Sequence, residues 1–375
     1  MPYHRWLAPV TETPIEAPTQ EAPEAAVRKF RIAVLPGDGI GPEVVAAAVG
    51  VLETLQSKLN GVEFQFSEHP CGAGEFLRSG DPLPGATLRA CGDSDAVLLG
   101  AMGMPEVRWP SGTEMAPQLD LREQLDLYAG VRPIRLYNAA HTPLKKSGVD
   151  VDLVIYRENT EGLFFSRKNG YGKDVLEVRD TLRISRRASE RLFRAAFRHA
   201  RRRRGLLTLV DKANVLPSMA YFRSIFDRIA LEFPDVRTER IYVDAAALYL
   251  VQKPEAFDVI VTENMFGDIL SDLAAGIVGG MGMAPSADIG EHHAVFQPAH
   301  GSAPDIAGQG IANPLAAILS AAMMLDWLGH EETKRGAELI QRAIERLTAN
   351  ASFATRDLGG TLTTAEMGRA VAGAL

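Results

Sequence analysis

From Phe30 onward the chain alternates between short apolar runs and longer runs with helical apolar spacing, and that alternation leaves few folds open. The strand-like runs are residues 31–35, 96–99, 153–156, 206–210, 241–243 and 257–261. The helical runs are 42–59, 114–125, 185–204, 218–233, 266–279 and 314–328. A chain that crosses repeatedly from strand to helix predicts an α/β fold with a largely parallel, helix-covered sheet. At 375 residues it is long enough for about two domains. Segment 168–182 (KNGYGKDVLEVRDTL) departs from the pattern: turn-rich and then alternating, it reads as a β-arm reaching from the body. No internal repeat is present.

Composition narrows the function classes. A net charge of −7 and a pI near 5.7 argue against a nucleic-acid or anionic-membrane surface. The basic run 201–204 closes a helical segment, where cations cap the helix C-terminus. Cys71 and Cys91 form no metal or redox motif, so free thiols in a reducing cytoplasm are expected. No run of 18 apolar residues exists to span a bilayer. Residues 1–29, with five prolines among Glu, Thr and Ala, predict a disordered N-terminal extension. They are too acidic for a transit peptide and lack the apolar stretch of a secretory signal.

Two local features carry chemistry. Asp268 and Asp272 stand four residues apart in a helical stretch, so their carboxylates share one face. Unpaired, they destabilise a helix by about a few tenths of a kcal/mol. A hard divalent cation reverses that penalty, because Mg²⁺ and Mn²⁺ take oxygen ligands. A solvated acidic face is the plain alternative. The setting favours the metal, since a strand (257–261) runs through TEN into this helix, where α/β folds place sites. The second feature is GDGIG (37–41), between the first strand and a helix. Its G-x-G-x-G spacing, with no acidic residue ending a second strand, makes it a tight turn rather than a Rossmann fingerprint.

The segments LDLYAGVRP (125–133), YRENTEG (156–162), VDKANVL (210–216), TENMFGDILSD (262–272) and HGSAPDIAGQGIANP (300–314) resemble the isocitrate/isopropylmalate group of β-decarboxylating dehydrogenases, in that family's order. The wording is nearest the isopropylmalate branch, and the likeness runs from about Phe30 to the C-terminus. It implies oxidation, with decarboxylation in most members, of a 3-substituted malate by NAD or NADP with Mg²⁺ or Mn²⁺. Arg122, Arg132 and Arg157 match the carboxylate-binding arginines, a task suited to planar, permanently charged donors. Asp244, Asp268 and Asp272 match the metal ligands, and Lys212 the relay for the hydroxyl proton. The resemblance places Lys212 and Asp244 in the partner's site, and so implies a homodimer with shared active sites, the β-arm acting as a clasp. His300, Gly301, Asp305, Ile306 and Asn313 fall in the adenosine-binding loop. A carboxylate at Asp305 accepts hydrogen bonds from ribose hydroxyls and repels a 2′-phosphate, which favours NAD.

Three positions depart from the family pattern. Phe164 stands where a tyrosine usually protonates the enol, and a phenyl ring has no proton to give; Tyr156 or Tyr171 is a candidate substitute. Gln118, one turn before Arg122, replaces the leucine of the isopropylmalate branch, while Met115 and Leu119 keep part of that face apolar. Gln297 replaces a glutamate common near the nicotinamide ribose. Tartrate, D-malate, homoisocitrate and isocitrate therefore stay open as substrates, and a silent regulatory subunit is the alternative of another class. The loop 100–113 is long enough to lid the substrate end. The implied fold is non-Rossmann, with a discontinuous large NAD-binding domain (30–127 and 279–375). A second domain (128–278) carries the β-arm, metal helix and dimer interface.

Overall fold

A computed structural model describes residues 27–145, 148, 150–169, 175–350 and 352–375. Ten strands form one sheet: β1 (Arg28–Gly37), β2 (Val62–Glu68), β3 (Ala96–Ala101), β4 (Ala129–Arg135), β5 (Asp152–Glu158), β6 (Leu206–Asp211), β7 (Arg237–Tyr242), β8 (Val259–Thr262), β9 (Pro285–Ile289) and β10 (Ala294–Pro298). The helices before the sheet's midpoint are α1 (Gly41–Gln56), α2 (Ala73–Ser79), α3 (Gly85–Asp93) and α4 (Pro117–Gln124). Then come α5 (Arg186–Arg202), α6 (Pro217–Ala230), α7 (Val243–Gln252) and α8 (Asn264–Gly276). The chain closes with α9 (Leu315–Trp327), α10 (Glu331–Thr348) and α11 (Thr364–Gly373).

Strand order is β2-β1-β3-β10-β9-β4-β5-β8-β6-β7. The flanks are parallel as expected, but the centre is not: β10 with β9, β9 with β4 and β4 with β5 pair antiparallel. The sheet is therefore mixed: largely parallel as expected, with six of its nine pairings parallel, but antiparallel across its centre. β4, β9 and β10 escaped the sequence reading because AGVRPIR, PSADI and AVFQP mix Gly, Pro and charge into short strands that are buried apart from Arg135. The edge strand β7 carries Arg237, Glu239 and Arg240, charges that deter edge-to-edge pairing. Helix α9 is buried on nearly every side, as its all-round apolar sequence demands.

Several boundaries moved for local reasons. β1 starts at Arg28, inside the segment expected to be disordered, because Arg28 N–H donates to Gly61 O (2.7 Å) and Lys29 pairs in register with Glu63. Residues 1–26 of that expectation lie outside the described residues. α4 begins at Pro117, not at 114, since Glu114 is bridged to Arg108 in extended backbone. Val243 opens α7 instead of ending a strand, which puts Asp244 in a helical first turn. Of the expected β-arm, 170–174 lie outside the described residues, and 175–182 contain no strand. Beside it, among the described residues, lies the isolated Gly162–Arg183 bridge.

Candidate active site

The antiparallel centre assembles the site. Gly130 on β4 stands opposite both Asp288 on β9 and Arg157 on β5, so these residues share one face with Arg132, two positions along β4. Gly130 must be small there, since a Cβ would lie 2.7 Å from Asn159 Oδ1. Helix α4 adds Gln118 and Arg122, and α8 adds Asp268 and Asp272. A cavity of about 260 Å³ results, with all three arginines, both aspartates, Gln118, Phe164, Gln297, His300 and Gly301 in its walls.

Behind its wall, against two of the lining arginines, is a residue the sequence reading did not single out. Asp288, 1% exposed, accepts from Arg122 Nε (2.8 Å), Arg132 Nη2 (3.1 Å), Asn159 Nδ2 (2.8 Å) and Gln297 Nε2 (2.7 Å). Burial alone would push its carboxyl up, but the Arg122 and Arg132 charges and these bonds hold it far below the usual carboxylate range. Arg157 is held separately. Asn264 Oδ1 accepts from its Nε (3.0 Å) and Nη2 (2.8 Å), Asp268 pairs with Nη1, and the Phe164 ring lies 5.2 Å beneath the guanidinium. Burial, then the Arg122 charge, pushes Arg157 down to about 10. At the rim, lost solvation and then the like charge of Asp268 push the Asp272 carboxyl up.

Glu158, between Arg157 and Asn159, is fully enclosed. It accepts from Thr160 N (2.8 Å), Thr160 Oγ1 (2.6 Å) and Glu161 N (2.6 Å), yet burial raises it from 4.5 to about 7. A carboxyl raised on folding is tolerated while protonated, so its stability contribution is lost as pH rises from about 4.5 through about 7. Glu158→Gln is expected to flatten the fall in melting temperature between pH 5 and pH 8, worth roughly a few kcal/mol. Thermal melts across that range check it, and an unaltered slope rejects it.

Not every anticipated residue joins the cavity. Lys212 Nζ donates to Asp244 Oδ1 (2.6 Å), and that pair lies outside the walls, Asp244 being 67% exposed. The ammonium holds the Asp244 carboxyl below its ordinary value. Among the described residues no group of three or more His, Cys, Asp or Glu is placed to hold a metal. Tyr156 cannot replace a proton donor at position 164. It is fully buried on the other side of β5 with its hydroxyl on His199 Nδ1 (2.9 Å), and burial pushes its pKa up. Tyr171 lies outside the described residues.

The 300–313 segment meets the cavity at one end. His300 Nδ1 bonds Gly301 O (2.9 Å), and its Nε2 is buried with no partner. Burial lowers the His300 pKa, favouring the neutral ring. Asp305 is exposed, Ile306 packs on the core, and Asn313 is buried with Oδ1 on Leu315 N (3.0 Å) and Nδ2 on Asp357 Oδ2 (3.0 Å). GDGIG is the tight turn expected, and it locks this segment. Ile40 N donates to Ser302 O (2.8 Å), and Gly39 (φ 59°) passes so close that a Cβ would sit 1.9 Å from that oxygen. Asp38 accepts from Ala73 N, Gly74 N and Gly103 N, tying the 100–113 loop to the same turn.

A mixed α/β sheet with guanidiniums and a carboxylate pair lining one cleft defines an anion-handling enzyme. The chain matches the Isocitrate/isopropylmalate dehydrogenase family over residues 31–371. It is 48% identical to the 3-isopropylmalate dehydrogenase of Moorella thermoacetica, over 91% of this chain and 98% of that one. It is 44% identical to the 3-isopropylmalate/3-methylmalate dehydrogenase of Methanocaldococcus jannaschii, with the same coverage. Among solved structures it superposes on an isocitrate dehydrogenase from Methylococcus capsulatus with a TM-score of 0.84, at 38% identity, covering 92% of this chain and 99% of that one. The chain belongs to the isocitrate/isopropylmalate dehydrogenase family, and is an oxidoreductase of the β-decarboxylating type.

Proposed function

We propose that the protein oxidises and decarboxylates a 3-substituted malate with NAD and Mg²⁺ or Mn²⁺, as a cytoplasmic homodimer with shared sites. The observation that carries this reading is the division of the anticipated residues. Arg122, Arg132, Arg157, Asp268 and Asp272 meet around one cavity, while Lys212 and Asp244 pair outside it. Asp244 shares its face of α7 with Leu248 and Val251, four and seven residues on and exposed (52% and 44%), and Ile269 on the packed α8 is 57% exposed. An apolar stripe beside a polar half-site suits a self-complementary dimer contact. Among the described residues no helix is long and apolar enough to cross a membrane.

In this reading Asp268 and Asp272, with Asp244 of the partner subunit, hold the cation, and their all-oxygen set fits a hard metal. The metal, when bound, would acidify the substrate hydroxyl and stabilise the enolate left after CO₂ departs. Arg122 presents its free edge to a substrate carboxylate, with Arg132, Arg157 and Gln118 beside it in the same walls, and Lys212 of the partner subunit relays the hydroxyl proton. Asp305 accepts from the ribose hydroxyls of NAD, with His300, Gly301, Ile306 and Asn313 shaping that end. Residues 30–127 with 279–375 form one domain and 128–278 the other. The boundary crosses the sheet between β9 and β4, at the cavity, where closure on substrate can occur.

The relatives' names support a malate-type substrate. Purified protein with Mn²⁺ is expected to form NADH and release CO₂ with 3-alkylmalates, to stop in EDTA, and to prefer NAD over NADP by about tenfold or more. NADH without CO₂ supports a tartrate-type oxidation; silence across the panel supports a regulatory subunit. With no tyrosine at 164, enol protonation falls to water, so Phe164→Tyr is expected to raise kcat on the decarboxylated substrate several-fold. An unchanged turnover in stopped-flow and steady-state assays counts against that step.

A further inference from the structure

Asp288 neutralises what the cavity otherwise offers to substrate. Three guanidiniums reach the cavity, and Asp288, behind Arg122 and Arg132, offsets part of their charge, while Asp268 and Asp272 are left to the proposed cation. Arg157 is spent on Asn264 and Asp268. Arg132 divides its donors between Asp288 and the carbonyls of Ala287 (3.2 Å) and Val131 (3.3 Å). Arg122 gives Asp288 only its Nε, and among the described residues nothing engages its two terminal nitrogens. The unspent guanidinium edge therefore suits one substrate carboxylate.

Among the described residues the Gln118 side offers no further cation. Gln118 is neutral, and its Oε1 is buried without a partner. The nearby basic side chains are taken: Arg167 pairs with Asp120 (2.8 Å) and Glu123 (2.7 Å), and Lys168 with Glu123 (2.7 Å) and Asp120 (3.1 Å). Gln297 fits the same design, because its amide donates to Asp288 where a glutamate would have set two carboxylates together. Asp288 is itself buried and so poorly screened, and it acts on any further negative charge held beside Arg122.

We propose that Asp288, positioned by Gln297 and Asn159, is a specificity-determining residue that admits malates with two carboxylates and an uncharged 3-substituent, and rejects those bearing a third carboxylate. This rests on the proposed malate chemistry and sharpens it. It separates this chain from the tricarboxylate specificity named for one of its structural neighbours.

Calorimetric titration of the intact protein with 3-isopropylmalate and with isocitrate tests this without turnover. The expected result is at least about tenfold tighter binding of the two-carboxylate ligand. In Asp288→Asn, isocitrate binding should strengthen about tenfold or more, and its KM should fall more than its kcat changes. A gain toward the tricarboxylate cannot come from misfolding. Equal affinities in the wild type overturn the proposal, as does an Asn variant in which both ligands weaken together. Should Asp288→Asn fail to fold, Asp288→Ser and Gln297→Leu, which remove the charge or release it from its amide, are read by the same titrations, and an unchanged ligand ratio in both overturns the proposal. If no malate is turned over, the proposed reaction fails, whereas the change in binding ratio between wild type and variant still judges Asp288.

Discussion

Mixing Lys212→Ala protein with Asp268→Asn protein, under conditions that exchange subunits, is expected to restore NADH formation to about a quarter of wild type. Each variant alone should lose nearly all activity. The reasoning is geometric. Asp268 lines the cavity of its own chain, while Lys212 is paired with Asp244 outside it. If each site draws Lys212 from its partner, a mixed dimer holds one site with both lesions and one with neither. About half of randomly exchanged dimers are mixed, which gives the quarter. Were each site built from a single chain, both sites of the mixed dimer would stay damaged and nothing would return. Steady-state assays before and after exchange, with sedimentation to confirm dimers, distinguish the two cases.

Arg122→Lys is expected to lower kcat/KM by about 2–5 kcal/mol, thirtyfold or more, with a lower melting temperature. The charge survives but the geometry does not. Arg122 is buried and grips Asp288 through Nε at 2.8 Å while presenting its terminal nitrogens to the cavity. A lysine has one ammonium for both tasks. If it turns to Asp288 the substrate loses its partner, and if it turns to substrate a buried carboxylate loses one of two cationic neighbours. Kinetics and thermal melting report the two losses separately. A change under threefold in kcat/KM would remove Arg122 from substrate binding.

Legibility in the sequence followed the range of the interactions. The helices α1, α5, α6, α8 and α9 were readable because apolar periodicity is local, and their ends moved by only a few residues. Asp268 and Asp272 were readable because four-residue spacing fixes a shared helix face. The three arginines were readable from the motifs around them, and they do converge. β4, β9 and β10 were not, since their Gly, Pro and charged residues mask the strand pattern. Asn264 and Asn159 sat inside recognised segments without showing which guanidinium or carboxylate they would hold.

By itself the sequence determined the alternation of strand and helix, the paired carboxylates and the supply of arginines, all set within a few turns of chain. Only the tertiary structure decided that the sheet runs antiparallel at its centre, and that decision creates the site. It brings Asp288 opposite Gly130, from residues 158 positions apart, and places its charge against Arg122 and Arg132. The physical reason is that strand pairing and charge neutralisation in a buried cleft depend on which distant segments meet, and no local period in the chain encodes that meeting.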